Sequence, residues 1–221
     1  MLVLSHRGRG GVSTAPDNTL EGFTAAAEIG VAGFETDVQC LADGSLVLFH
    51  DRVLADGTAV ATLTPRELCE SAGVAVPLLA DALAAFPGHV WNLEIKDPRV
   101  VDGLGAVIPE GTRVLVSSFH HASARAGAAA AGGMGPGFLF AHRPLESDAV
   151  VQAYRGSGEA WLIWDAGVVD TRVLAACRRA GLHTGLYGVA PGDVDSIVQG
   201  GLVDLVIADH QSVLEALTKR C

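Results

Sequence analysis

The stretch Gly33-Phe34-Glu35-Thr36-Asp37-Val38-Gln39-Cys40-Leu41-Ala42-Asp43-Gly44-Ser45-Leu46-Val47-Leu48-Phe49-His50 decides the fold. Its first half carries two carboxylates two residues apart inside an otherwise buried-looking run. Side chains alternate along a strand, so Glu35 and Asp37 share one face. Asp43-Gly44 between two apolar runs signals a hairpin. A two-residue loop on Asp43 and Gly44 pairs Ala42 with Ser45 and, counting outward, sets Asp37 opposite His50. Charged residues in the last positions of a buried strand mark the working end of a barrel of parallel strands.

Outward from this segment the pattern repeats. Short aliphatic runs at 2–5, 33–38, 89–95, 113–116, 137–140, 160–164, 183–187 and 202–207 read as strands. Helical stretches fall between and after them at 19–29, 79–86, 100–107, 121–131, 146–154, 171–180, 194–199 and 211–219. Near-continuous apolar strands alternating with helices point to a parallel sheet covered by helices. Eight repeats fit a closed barrel better than an open sheet. Asn18 or Thr19 suits a helix N-cap, and Thr64-Pro65-Arg66-Glu67 has the pattern of a capping box with a first-turn proline. Gly30, Gly73 and Gly181 are expected helix stops. Residues from about 51 to 77 break the alternation and are expected to be an inserted loop and short helix within one domain spanning 1–221.

The chain has 221 residues, of which 49% are hydrophobic, enough for a large core. No apolar run reaches the length of a membrane span. Met1 to Ser5 is short, lacks a basic flank and reads as a first strand, not a signal peptide, so a cytoplasmic location is expected. The formal net charge of -10 disfavours nucleic acid as a partner. It also means that an anionic small-molecule substrate needs a local positive centre, which a bound divalent cation would supply. Cys40, Cys69, Cys177 and Cys221 form no Cys-x-x-Cys pair and read as buried or incidental thiols. Nothing in the chain reports an oligomeric state.

The candidate site gathers His6 and Arg7 after the first strand, Glu35 and Asp37, His50, and then Glu94 and Lys96 on a second carboxylate strand. Three carboxylates make a hard, oxygen-rich site that suits Mg²⁺ or Ca²⁺ better than zinc, with Mn²⁺ also admissible. Two histidines can divide the acid and base halves of a proton transfer. Arg7 and Lys96 can each hold a phosphate oxygen, and both also serve as counter-ions to the carboxylates. Gly8, Gly10 and Gly11, next to His6, suggest backbone passing close to a bound group.

His6-Arg7-Gly8, Pro16-Asp17-Asn18-Thr19-Leu20, Phe34-Glu35-Thr36-Asp37-Val38, Asp43-Gly44 with Phe49-His50-Asp51, and Asn92-Leu93-Glu94-Ile95-Lys96 together resemble the glycerophosphodiester phosphodiesterase family. Ser117-Ser118-Phe119 and Ala208-Asp209 are weaker landmarks further on. The resemblance implies an α/β fold, a (β/α)8 TIM barrel with a small inserted hairpin and helix segment after the second strand. It implies a metal held by Glu35, Asp37 and Glu94, with His6 and His50 as acid and base. The implied reaction is metal-dependent hydrolysis of a glycerophosphodiester to glycerol 3-phosphate and an alcohol.

Two positions depart from the family pattern. Asp17 stands where Glu is usual. Thr184-Gly185-Leu186-Tyr187-Gly188 replaces a tryptophan-centred motif of the seventh strand, so Tyr187 is expected to take over the aromatic contact to substrate. His120, His142, Trp164 and Asp165 also sit near strand ends. The rival readings are a lysophospholipase D or cyclising phospholipid lyase of the same superfamily, favoured by an apolar cleft, and a non-catalytic metal- or phosphate-binding barrel.

Overall fold

Among the described residues, 1–10 and 15–220 of a computed structural model, strands and helices follow the alternation read from the sequence. The order is β1 (Leu2–His6), α1 (Leu20–Ala27), β2 (Gly33–Cys40), β3 (Leu46–Leu48), α2 (Pro65–Ala72), α3 (Leu79–Ala85), β4 (Val90–Ile95) and α4 (Val100–Val107). It continues with β5 (Arg113–Ser118), α5 (His121–Ala131), β6 (Pro136–Phe140), α6 (Ser147–Tyr154), β7 (Trp161–Asp165), α7 (Thr171–Arg179), β8 (His183–Tyr187), α8 (Val194–Gly200), β9 (Leu205–Ala208) and α9 (Gln211–Thr218). Parallel pairing runs from β2 through β4 and on to β9, and β1 pairs with both β9 and β2. Eight parallel strands therefore close on themselves as a (β/α)8 TIM barrel. β3 stays outside, antiparallel on β2.

The hairpin differs from the expected register by one residue. Val38 pairs with Leu48, Gln39 with Val47 and Cys40 with Leu46. Asp37 is thus level with Phe49, whose N–H donates to the Asp37 carbonyl at 3.0 Å, and does not face His50. The cause is the loop. Gly44 N–H donates to the Leu41 carbonyl at 3.2 Å, and Leu41 N–H donates to the Ser45 carbonyl at 2.9 Å. Gly44 has φ +86°, a left-handed conformation that lets a β-turn be followed by one extra residue. The loop is Ala42-Asp43-Gly44, three residues long, and the extra residue slides every outward pair by one.

The alternation of side chains sorts the strands into two cores. Outward-facing Phe34, Val38, Trp91, Leu93, Val114, Val116 and Leu162 meet the helices. Phe23, Phe34 and Trp91 form a ring cluster with centroids 5.0–5.2 Å apart, directly behind Glu35 and Asn92. A side chain such as Phe34, fully buried, contributes about 1.5–3 kcal/mol. Inward-facing Leu4, Val90, Leu115, Leu139, Trp161, Ile163, Leu205 and Ile207 fill the barrel interior. His6, Glu35, Asp37, Glu94 and Tyr187 share their inward parity and lie nearer the C-terminal ends of their strands.

A third, smaller core of Leu41, Val47, Val60 and Leu68, with Phe49, Leu54 and Val76 against it, seats residues 51–77 on the hairpin. There α2 starts with the expected capping box, Thr64 N–H donating to Glu67 Oε2 at 2.8 Å and Glu67 N–H to Thr64 Oγ1 at 3.4 Å. It stops at Gly73, φ +67°. The expected cap of α1 is Thr19, whose hydroxyl accepts from Gly22 N–H at 3.2 Å. Cys40 and Cys177 are buried free thiols and Cys69 is half-buried; Cys221 lies outside the described residues. Among the described residues no helix is long and apolar enough to cross a membrane.

Gly33 of β2 packs against β4 so tightly that a Cβ there would sit 1.8 Å from the Val90 carbonyl oxygen. Backbone cannot yield as a side chain can. Gly33→Ala is therefore expected to cost more than the roughly 1–3 kcal/mol of ordinary overpacking. Gly44→Ala, with open space around its Cβ, should cost only about 1–2 kcal/mol from its left-handed backbone. Urea unfolding of the two variants checks this; equal midpoints would show that the approach at Gly33 is not constraining.

Candidate active site

Strand register brings the site together. His6 is level with Glu35, and Glu35 with Asn92. One layer further, Asp37 is level with Glu94, and Glu94 with Ser117. Carboxylate oxygens of Glu35, Asp37 and Glu94 all lie within 4.8 Å of one another, and all three residues are buried. Arg7 leaves β1 with φ +55°, a strained value for a residue with a side chain, costing on the order of 1–3 kcal/mol. Two backbone bonds hold it there: Arg7 N–H donates to the Glu35 carbonyl and Asn18 N–H to the Arg7 carbonyl, each at 2.8 Å. The turn delivers Arg7 Nε to within 2.8 Å of Asp37 Oδ2. From β4, Lys96 Nζ reaches Glu94 Oε1 at 2.6 Å and Asp37 Oδ1 at 3.1 Å. Asn18, also left-handed at φ +59°, donates from Nδ2 to Asp37 Oδ2 at 2.9 Å and accepts from Thr36 Oγ1 at 2.7 Å.

The charges do not balance. Burial works to raise the Asp37 carboxyl, but Lys96, Arg7 and the Asn18 hydrogen bond outweigh it and hold it below its ordinary value. Glu94 is raised by burial in spite of Lys96. Glu35 has no cation of its own. Burial pushes it up to about 8, opposed by His6 and reinforced by Asp37 and Glu94. Its Oε2 is buried with no hydrogen-bond partner. An orphaned carboxylate oxygen among hard oxygen donors is what a bound cation completes. The cluster fits a divalent metal ion.

Each histidine has its Nδ1 on a carboxylate. His6 Nδ1–H donates to Asp209 Oδ1 at 2.7 Å, and its Nε2 lies 3.5 Å from Glu35 Oε2. Burial disfavours the charged ring, but Glu35 and Asp209 outweigh it and raise His6 above its ordinary value. Asp209 is lowered to about 2: burial works against this, and bonds from His6 and Arg9 overcome it. Arg9 bridges Asp209, at 2.8 Å from its NH1, and Asp17 on the other side of the mouth, at 2.7 Å from its Nε. His50 is more open, at 44% exposed, and bonds to Asp51 Oδ1 at 2.7 Å. Its backbone is held by Gln39 on β2, whose Nε2 donates to the Phe49, His50 and Asp51 carbonyls at 3.2, 3.3 and 2.5 Å. The clasp does what the shifted ladder does not.

A cavity of about 170 Å³ is lined on one side by His6, Arg7, Glu35, His50, Glu94 and Lys96, with Asn92 between them. Asp37 lies behind, reached through Arg7 and Lys96. The opposite wall is Phe119, Leu139, Tyr187 and Ile207. Tyr187 presents its ring, edge to face with Phe119 at 6.2 Å. Its hydroxyl donates to the Phe140 carbonyl at 3.1 Å, and burial pushes it up to about 12. The remaining strand-end candidates are occupied elsewhere. His120 bonds Ser123, Trp164 stacks on Phe140 at 4.1 Å, and Asp165 accepts from Gly167 N–H at 2.7 Å. His142 does not line the cavity. The glycine-rich loop serves packing: a Cβ on Gly8 would strike α1 at Gly22, and one on Gly10 would strike Leu214 of α9. Gly11 lies outside the described residues.

Sequence reasoning passed over Asn18, Gln39 and Phe119 as parts of the site and took Asp209 only as a landmark. Inward parity with Asp37 was available for Gln39. Asp209 had no local signal, because its partner is 203 positions away.

Residues 6–102 match the model of the Glycerophosphoryl diester phosphodiesterase family. A Mycobacterium tuberculosis protein named probable glycerophosphodiester phosphodiesterase 2 is 34% identical over 128 residues, 53% of this chain and 48% of that protein. A glycerophosphodiester phosphodiesterase of Caldanaerobacter subterraneus is 32% identical over 148 residues, 56% of this chain and 60% of that protein. The chain thus spans about half the length of these curated relatives. An Oleispira antarctica phosphodiesterase, solved in complex with the product sn-glycerol-3-phosphate, superposes with a TM-score of 0.82 over 100% of this chain and 97% of that one. Its 21% identity speaks to the fold alone. The stretch that matches the family model contains His6, Arg7, Glu35, Asp37, His50, Glu94 and Lys96, so the likeness to the glycerophosphoryl diester phosphodiesterase family falls on the residues of this site.

Proposed function

We propose that this chain is a metal-dependent phosphodiesterase that hydrolyses glycerophosphodiesters to glycerol 3-phosphate and an alcohol, with 1–221 as one catalytic domain and about 51–77 as its insert. One observation carries the reading: two imidazoles, two cations and two carboxylates of a cation-deficient cluster line a single small cavity, with the third, Asp37, directly behind it. The relatives named for this activity support the substrate class.

Glu35, Asp37 and Glu94 would hold Mg²⁺, Ca²⁺ or Mn²⁺, which neutralises phosphate charge and lowers the pKa of a bound hydroxyl. Arg7 and Lys96 lean on Asp37 and Glu94 and offer their remaining N–H donors to phosphate oxygens, Arg7 as a fork and Lys96 as a point charge. His6 and His50 each keep Nε2 free of the bond that fixes Nδ1. One takes the proton from the attacking hydroxyl, and the other returns a proton to the departing alcohol oxygen. The attacking hydroxyl belongs to water or to the glycerol itself; in the second case the cyclic phosphate formed is opened by water. Tyr187 and Phe119 supply an aromatic wall for the carbon skeleton. At about 170 Å³ the cavity is smaller than the roughly 300–1,000 Å³ of drug-sized pockets, which suits a glycerophosphate better than an acyl chain.

Purified protein with each of the three metals is expected to release glycerol 3-phosphate from glycerophosphocholine. His6→Ala and His50→Ala should each lower kcat on the order of 10²–10⁴-fold while the circular dichroism spectrum is unchanged. Near-normal turnover by both variants would remove the histidines from the chemistry. Glu94→Gln should weaken metal affinity by at least roughly tenfold in a calorimetric titration. An unaltered titration curve would take Glu94 out of the cluster.

A further inference from the structure

Asn92 stands at the floor of the cavity with nothing to bond. It lies on β4, level with Glu35 on β2 and Leu115 on β5, and two residues before Glu94, so its side chain enters the barrel interior. It is 0% exposed. Both ends of its amide, Nδ2 and Oδ1, are buried without a hydrogen-bond partner. Buried polar groups are paired as a rule, and an exception beside a cavity calls for a ligand.

Most other polar groups facing the same space already have at least one protein partner. Arg7 and Lys96 are on Asp37 and Glu94, His6 is on Asp209, His50 is on Asp51, and the Tyr187 hydroxyl is on the Phe140 carbonyl. Ser117 Oγ is also unpartnered, but Ser117 does not line the cavity. Glu35 Oε2 is an acceptor suited to a cation. Asn92 alone among these lining groups offers a neutral donor and a neutral acceptor on one flat group. A phosphate oxygen needs only the donor and a metal only the acceptor; an alcohol hydroxyl uses both. Leu139 and Ile207, which also line the cavity, suit the C–H faces of a short polyol.

We infer that Asn92 binds a hydroxyl of the substrate's glycerol group and makes the cavity selective for a polyol phosphate over a plain alkyl phosphate. The inference rests on the phosphodiesterase reading and names the residue that reads its substrate. No change of protonation is involved: the amide N–H donates to the hydroxyl oxygen, and the hydroxyl hydrogen turns to the amide oxygen.

The test compares binding of glycerol 3-phosphate with binding of 3-hydroxypropyl phosphate, which lacks the 2-hydroxyl, to the Mg²⁺-loaded protein. The wild type should prefer glycerol 3-phosphate by roughly tenfold, the worth of one or two neutral hydrogen bonds. In Asn92→Ala the ratio should collapse towards one. Asn92→Ser, a gentler change, should lower it as well. A readout free of substitution is the Asn92 side-chain amide resonance, which should move further with glycerol 3-phosphate than with its deoxy analogue. A wild type without preference, a ratio unchanged in the variants, or an amide resonance indifferent to the hydroxyl would each overturn the assignment. Turnover of glycerophosphocholine is scored separately. Turnover without hydroxyl preference overturns the role of Asn92 and leaves the activity; hydroxyl preference without turnover overturns the activity and leaves Asn92 in place.

Discussion

Three carboxylates buried at the ends of two neighbouring strands must be neutralised, and the protein supplies two cations. Much of the architecture around the mouth follows from that shortage. Arg7 and Asn18 adopt left-handed backbone conformations, and from there their side chains meet Asp37, which is fully buried. Lys96 is shared between Asp37 and Glu94. Removing one partner of such a buried pair typically costs about 3–5 kcal/mol, so Arg7 and Lys96 carry the fold while they line the cavity. Behind them Phe34 and Trp91 wedge β2 and β4 against α1, so the deficit falls at a fixed place, Glu35.

The two histidines are held in different ways. His6 ends a barrel strand and is tied through Asp209 to Arg9, so its ring is fixed by groups at both edges of the barrel's closing seam. His50 lies past the end of the hairpin. It depends on the Gln39 clasp and on an exposed aspartate beside it in sequence. One imidazole belongs to the barrel, and the other to the small core that seats the insert.

Much of this was legible in the sequence, for physical reasons that can be named. The barrel was readable because each buried strand is a short aliphatic run and each helix keeps its own period. Glu35, Asp37 and Glu94 could be grouped because strand parity is local. The hairpin register was not readable, because Asp43-Gly44 suits both a two-residue and a three-residue loop, and the bonds that define the longer one run between backbone groups on either side of it. Asn92 was visible as part of a motif. That its amide finds no partner is a property of neighbours on three strands. Tyr187 was expected to touch substrate and does line the cavity, but the bond from its hydroxyl to the Phe140 carbonyl is a contact no local pattern announces.

The bond from His6 to Asp209 spans 203 positions, nearly the whole chain. During synthesis His6 is made 203 residues before the carboxylate that bonds its Nδ1. A chain released after Lys96 would carry both histidines, both cations and all three acidic residues, yet β1 would have no β9 beside it and the first imidazole no anchor. Closing so long a loop is slow to nucleate compared with local helices and hairpins. The anchor of the first imidazole therefore arrives only with β9 and the residues just after it.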